Sequence, residues 1–225
     1  YTLTEKLSSN ISLIKNDSEG YIKNTYLEDE NSNSKDEILT KIKLLYSPNN
    51  FSKYLLTYYY INLDNKYDAW TIDNNGYNTL SDYQGTDKNK TKAFSLKSLF
   101  NLNQLKITSI TSYSNNNIDY TYDGDWGNIE MWELEPFNWD HSVYPWDFPD
   151  ITNRKRELAS QEVRFLFKNT LFGIFTSKLQ EKDHRKGYFF SGNWDDMKSI
   201  FDIENTALYT QYKHSLTELS NINVS

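Results

Sequence analysis

Between Tyr120 and Asp150 the chain sets four tryptophans, Trp126, Trp132, Trp139 and Trp146, among the acids Asp123, Asp125, Glu130, Glu133, Glu135, Asp140, Asp147 and Asp150. Aromatic rings stack on the apolar faces of sugars and attract cations, and carboxylates accept hydrogen bonds from hydroxyl or ammonium groups. The pattern is therefore one that a site for a sugar or a cationic group would use. The candidate ligand contacts are Asp123, Asp125, Trp126, Trp132, Trp139, Asp140 and Trp146. A plainer reading stays open beside it, in which the tryptophans pack a long loop into an ordered cap and the acids are solvated or hold divalent ions.

Other chemistry finds less support in the residues. A glycosidase needs two carboxylates about 5 to 10 Å apart across the scissile bond, and here the acids share one loop instead of standing on separate strand ends. No catalytic residues are expected, and the chain reads as a non-enzyme. Asp123-Gly124-Asp125 lacks the regular ligand positions and terminal Glu of a calcium-binding helix-loop-helix motif. His141, His184 and His214 are too far apart for a local metal motif, and the absence of cysteine removes disulfides and the usual zinc spacings. Neither metal nor cofactor is expected. A net charge of −7 without a basic cluster argues against a nucleic-acid partner. Matches to the N-glycosylation pattern, such as those at Asn10 and Asn89, are what chance gives in an Asn-rich chain.

The elements that must carry the Trp-rich segment alternate in polarity. Ile38, Thr40, Ile42, Leu44 and Tyr46 fall on one face with Lys41 and Lys43 on the other, which is the period of a strand. After Ser47-Pro48-Asn49-Asn50 the pattern returns through Tyr54, Leu56, Tyr58 and Tyr60. A second hairpin places Phe94, Leu96 and Phe100 before Asn101-Leu102-Asn103-Gln104 and Leu105, Ile107 and Tyr113 after it. A third pairs Val163, Phe165 and Phe167 with 171–177 through Lys168-Asn169-Thr170. A fourth begins at Leu208 and turns at Thr217-Glu218-Leu219-Ser220. With leading strands near Thr2 to Leu13 and Gly20 to Leu27, nine or ten strands are expected. Glu162, Arg164 and Lys168 read as a ladder of charges facing a watery interior.

The connections at the other end, near 15–37, 64–92, 114–153 and 178–205, read as long and irregular, and all six tryptophans lie in long polar segments. Short turns on one side and long loops on the other mark an outer-membrane β-barrel. The 37% hydrophobic content and 16% aromatic content suit a wall that alternates in polarity, and no run approaches the roughly 18 apolar residues of a transmembrane helix. The expected fold is all-β: an antiparallel up-and-down transmembrane barrel, with residues 1–225 forming one domain.

Several stretches, in order along the chain, go beyond generic alternation. They are Gly20-Tyr21-Ile22-Lys23-Asn24, Lys41 to Pro48, Leu105 to Tyr113 followed by Asp123-Gly124-Asp125-Trp126, Ser160 to Phe165 with Leu171 to Phe175, and Ala207 to Tyr212 leading to Leu216-Thr217. The set resembles the barrel region of TonB-dependent outer-membrane receptors over nearly the whole chain. The resemblance implies a 22-strand barrel with an N-terminal plug that takes up an iron chelate, cobalamin or a similar scarce solute such as a glycan, driven through TonB. It implies outer-membrane lipid, a small solute such as a metal chelate, and the TonB system as partners. The chain is expected to be a piece of that barrel, without the plug, the TonB-contacting segment and the closing strands. The alternatives are a secreted all-β glycan-binding module, which needs a second layer over Ile42, Leu44, Phe165 and Phe167, and a plugless porin.

Overall fold

The computed structural model describes residues 2–68, 76–143, 148–189, 192–217 and 220–224. Ten strands form one sheet: β1 (Thr2–Thr4), β2 (Leu7–Ser18), β4 (Lys35–Asn49), β5 (Ser52–Tyr67), β7 (Gly85–Leu102), β8 (Leu105–Asp123), β9 (Pro149–Phe167), β10 (Thr170–Phe189), β11 (Gly192–Thr217) and β12 (Ser220–Val224). Each pairs antiparallel with the next in that order, which is up-and-down topology. Two further strands, β3 (Lys23–Asn24) and β6 (Asn78–Thr79), pair in parallel within the connections. A five-residue helix, α1 (Ile129–Glu133), lies in the Trp-rich connection.

Turn chemistry closes the short ends. Asn49 Oδ1 accepts from the Phe51 and Ser52 amides at 3.1 and 2.8 Å. Asn103 and Lys168 take φ values of 51° and 53°, a left-handed conformation that Asn tolerates well and that two-residue hairpins require. Residues 218 and 219 of the fourth expected turn lie outside the described residues.

The register assigns every side chain to a face, because directly opposed residues point the same way. Ile11, Ile42, Tyr58, Phe94 and Tyr113 stand in one row across β2, β4, β5, β7 and β8. Counting by twos toward the short turns, that face carries Leu44, Leu56, Leu96, Ile107, Val163, Phe165, Ile174 and Leu208, interrupted on β8 to β11 by Ser109 and by the row Thr111, Gln161, Thr176 and Thr206. Counting the other way, it turns to Lys90, Lys92, Asn115, Lys155 and Lys182. The apolar band is therefore limited in height to about ten residues from the turns, the length of a tilted membrane-spanning strand. Aromatic contacts mark both its borders: Tyr46 with Tyr54 and Tyr54 with Phe100 near the turns, at 6.2 and 5.8 Å, and Phe94 with Tyr113 at 5.8 Å farther up.

No second layer covers this band among the described residues, since the strands of the large sheet pack against their neighbours within it. Phe94 is 44% exposed and Leu208 69%, and Ile22 is the single buried large apolar side chain described. The covering sheet that a secreted sandwich would require is not there. No helix described is long and apolar enough to cross a membrane.

The opposite face is mixed and hydrogen-bonded. Glu162 accepts from Arg164 at 2.7 Å and from the Tyr209 hydroxyl at 2.5 Å. The Tyr209 ring lies where a Cβ on Gly173 would be, 2.0 Å from ring carbon Cζ, so only glycine fits beneath it. Glu162 and Arg164 thus pair along one strand, and Lys168 sits in the turn over the Phe167 ring instead of joining a ladder. Opposite charges do meet across strands higher up, at Arg154 with Asp183, 3.0 Å, and Arg185 with Asp150, 2.8 Å.

Two expectations about the connections change. The stretch from Gly20 to Leu27 is no wall strand: Lys23–Asn24 pair with β6, and Asn24 also bridges to Asp29. The stretch 178–205 is no irregular loop: β10 and β11 pair from Thr170 with Tyr212 up to Phe189 with Gly192. β8, β9, β10 and β11 run 19, 19, 20 and 26 residues, well beyond the ten or so that cross a bilayer. Above the band charged residues mix with apolar ones such as Ile200 and Phe201 on both faces, so alternation fades while backbone pairing continues.

The one-sided band makes a prediction. Leu96→Arg, near mid-height on the apolar face, should destabilise the protein in lipid vesicles by about 2–4 kcal/mol, whereas Lys97→Ala, on the other face, should change denaturant unfolding little. Equal effects from the two would contradict the facing assigned here.

Candidate functional site

The long strands end in three connections, 19–34, 68–84 and 124–148, which are joined by buried polar groups. Asn24, 1% exposed, donates from Nδ2 to Asp68 Oδ2 at 3.0 Å and to the Ser81 carbonyl at 2.8 Å, while its Oδ1 accepts from the Tyr26 and Leu27 amides. Thr79 Oγ1 donates to Asp68 Oδ2 at 2.5 Å and Ser81 Oγ to Asp68 Oδ1 at 3.3 Å. Burial raises the Asp68 pKa, and hydrogen bonds from Thr79, Asn24, Ser32 and Ser81 oppose the shift. One carboxylate thus ties the first two connections together. The third is tied to the second by Asn128, whose Nδ2 donates to the Leu80 carbonyl at 2.7 Å, and by the Asp82 amide, which donates to the Gly127 carbonyl at 2.9 Å.

The sequence Asp123-Gly124-Asp125-Trp126-Gly127 folds as two overlapping turns. Asp123 Oδ1 accepts from the Asp125 and Trp126 amides at 3.1 and 3.3 Å, and Asp125 Oδ1 accepts from the Gly127 amide at 3.0 Å. Short acids bond their own backbone in this way. Gly124 is required because a Cβ there would come 2.2 Å from the Phe148 ring. Trp126 is held at φ 60°, an unusual conformation for so large a residue. The turn over-determines it and sets the indole over the strand ends.

A cavity of about 300 Å³ opens there, lined by Tyr67, Asp68, Ser81, Tyr120, Tyr122, Asp123 and Trp126. Tyr67, Tyr120 and Tyr122 belong to the mixed face of the sheet, and their rings form a wall: Tyr67 and Tyr120 lie 5.2 Å apart at 62°, Tyr120 and Tyr122 5.7 Å apart at 42°. Gly85 lies between β5 and β8, where a Cβ would come within 2.2 Å of the Tyr67 carbonyl. Burial raises the Tyr120 and Tyr122 hydroxyl pKa values.

Asp123 is the unusual group of the cavity. It is 6% exposed, and its buried Oδ2 receives no hydrogen bond of good geometry, the nearby Ser81 hydroxyl lying 3.3 Å from Asp68 Oδ1 and opposing the rise of the Asp123 pKa only weakly. Burial first, then the charges of Asp125 and Asp82, push its carboxyl up to about 8.

Of the candidate contacts read from the sequence, Asp123 and Trp126 line this cavity. Asp125 lies buried beneath, and Trp132 Nε1 points to its Oδ1 at 3.5 Å. Trp132 packs edge-on to Phe137, with centroids 4.8 Å apart, and its carbonyl accepts from the Trp139 amide at 2.8 Å, so these two tryptophans order the loop around α1. Asp140 is exposed and accepts from the Ser142 amide and hydroxyl, which hold its carboxyl below the usual range. Trp146 lies outside the described residues. Tyr67, Asp68, Ser81, Tyr120 and Tyr122 did not stand out in sequence. The available signal was Tyr120 and Tyr122, two apart on one face where a strand ends.

Site and sheet together define a segment of β-barrel wall with a pocket among its long connections. In fold the chain is similar to the crystal structure of the ferric yersiniabactin uptake receptor FyuA from Yersinia pestis, with a TM-score of 0.69 at 11% identity, over 99% of this chain and 34% of that one. The chain thus spans about a third of that receptor's length. The resemblance to TonB-dependent receptors therefore holds at the level of the fold. No family model matches the chain, and no curated protein matches it in sequence.

The raised Asp123 group fixes a pH dependence. Between about pH 4 and 8 the carboxyl is ionised in an opened loop but protonated in the closed one, so the open form binds fewer protons and closure weakens as pH rises, levelling above 8. Hydrogen exchange at the Asp125 and Trp126 amides, corrected for its intrinsic pH dependence, should show protection falling across that window. Asp123→Asn should flatten the profile, and an unchanged slope in that variant would refute the assignment.

Proposed function

We propose that this chain forms part of the wall of an outer-membrane TonB-dependent receptor that takes up a scarce solute, such as an iron chelate, cobalamin or a glycan. The observation that carries the reading is the height-limited apolar band without a protein layer over it, bordered by aromatic residues. Lipid is the partner suited to such a face. The ordered motifs and the fold likeness to an uptake receptor support the same reading. On this account the strand extensions and connections stand outside the membrane, facing incoming solute. Asp123, Asp125, Trp126, Trp132, Trp139, Asp140 and Trp146 belong to the solute-facing loops, with Tyr67, Tyr120 and Tyr122 beside them. The chain acts by binding and passage and carries out no reaction.

The test is fractionation and uptake with the protein expressed from its own gene. It should be recovered in the outer membrane, and deletion of the gene should abolish energy-dependent uptake of at least one member of a panel of iron chelates, cobalamin and glycans, as loss of TonB should. Recovery in the detergent-free soluble fraction, or uptake by the protein that persists without TonB, would overturn the reading.

A further inference from the structure

We infer that the cavity between the ends of β5 and β8 binds an alkylammonium group of a ligand, with Asp123 as its counter-charge and Tyr67, Tyr120, Tyr122 and Trp126 as its walls. As a statement about transported solute this rests on the receptor reading; as a statement about the pocket it stands on the geometry alone.

The walls favour a cation because aromatic rings present negative faces, Trp most strongly, and the attraction grows when the cation is desolvated. Three tyrosines in contact with one another and a tryptophan held above them by a φ of 60° make such a surface around about 300 Å³, enough for a head group of a few heavy atoms. The polar groups sort the ligand further. Asp68 and Ser81 are engaged with each other and with Asn24 and Thr79. The buried acceptor left without a hydrogen bond of good geometry is Asp123 Oδ2, at 94% burial of its residue. A group bringing donors and positive charge meets that need, whereas a sugar hydroxyl would bring donor and acceptor alike. Among the described residues no three acidic or histidine side chains converge as metal ligands, so the pocket suits an organic cation over an inorganic one.

Binding carries a proton balance. With the cavity empty, Asp123 holds its proton at neutral pH, facing the charges of Asp125 and Asp82 with Asp68 and the three tyrosine hydroxyls nearby. An entering ammonium ion replaces that proton, which leaves to buffer, and the carboxylate then pairs with the cation. Affinity therefore rises with pH until the empty site is already ionised.

The experiment is calorimetric titration of the protein in lipid nanodiscs with choline, with n-butylammonium, and with 3,3-dimethylbutan-1-ol, the uncharged isostere of choline. One of the two cations should bind saturably and at least tenfold tighter than the alcohol, with affinity increasing from pH 6 to 8 and about one proton released per cation at the lower pH. Asp123→Asn keeps an oxygen for the Asp125 and Trp126 amides, so hydrogen exchange should show the loop still folded while cation binding falls at least tenfold; Asp17→Asn, on the exposed end of β2, should bind as before. Equal binding of the alcohol, unchanged cation binding in a folded Asp123→Asn, or no binding of either cation overturns the inference. If the protein fractionates with the outer membrane and still binds neither cation, the pocket assignment fails and the receptor reading stands. If it is soluble yet binds a cation, the reverse holds.

Discussion

An antiparallel sheet whose one face carries a band of apolar side chains, broken on β8 to β11 by Thr111, Gln161, Thr176 and Thr206, needs an apolar medium or partner against that band. This constraint governs the rest of the structure. A soluble sheet protein of 225 residues would bury its leucines, valines and phenylalanines between layers, but the side chains buried among the described residues are mostly polar, Asn24, Ser32, Thr79, Ser81, Asp68, Asp123 and Asp125 among them, with Ile22 alone among large apolar ones. The wall satisfies its own backbone through the strand ladder, as a hydrocarbon environment demands. On the proposed reading, hydrophobic stabilisation is left to contact between the outer face and lipid.

Where the wall rises above the apolar band, cohesion changes in kind. The connections are joined by polar networks, with Asp68 receiving side chains from β3, β6 and the residues after them. Removing one member of such a network strands its partners at about 1–3 kcal/mol each. That specificity holds Trp126 in its unusual conformation and leaves Asp123 with an unused oxygen at the edge of an aromatic cavity. A buried polar atom left unsatisfied beside a cavity is where binding chemistry is expected.

The wall was legible in the sequence because a strand with one apolar face writes a period of two: rows such as Ile42, Leu44 and Tyr46, or Val163, Phe165 and Phe167, announce strands, and Asn49 and Asn103 announce turns. Legibility ended where that pressure ends. The stretches 178–189 and 192–205 scatter apolar residues such as Leu179, Met197, Ile200, Phe201 and Ile203 over both faces among many charges, so strands held by backbone pairing read as loop. Gly20 to Leu27 alternates and yet forms part of the loop platform, because Asn24 is held by Asp68, Ser81 and the Asp29 backbone instead of by a neighbouring wall strand. At the site, Asp123 and Trp126 were legible from type and proximity. Tyr67, Asp68 and Ser81 were not, since they reach the cavity from strand ends and connections more than 35 residues away in the chain.

The central claim, that one face of this sheet meets lipid, is tested most directly by its periodicity. The chain contains no cysteine, so single cysteines from 106 to 113 along β8 can carry spin labels in a bilayer without background. Collision with lipid-soluble oxygen should peak at 107, 109, 111 and 113, and collision with a water-soluble nickel chelate at 106, 108, 110 and 112. Loss of that alternation, or its inversion, would contradict the account.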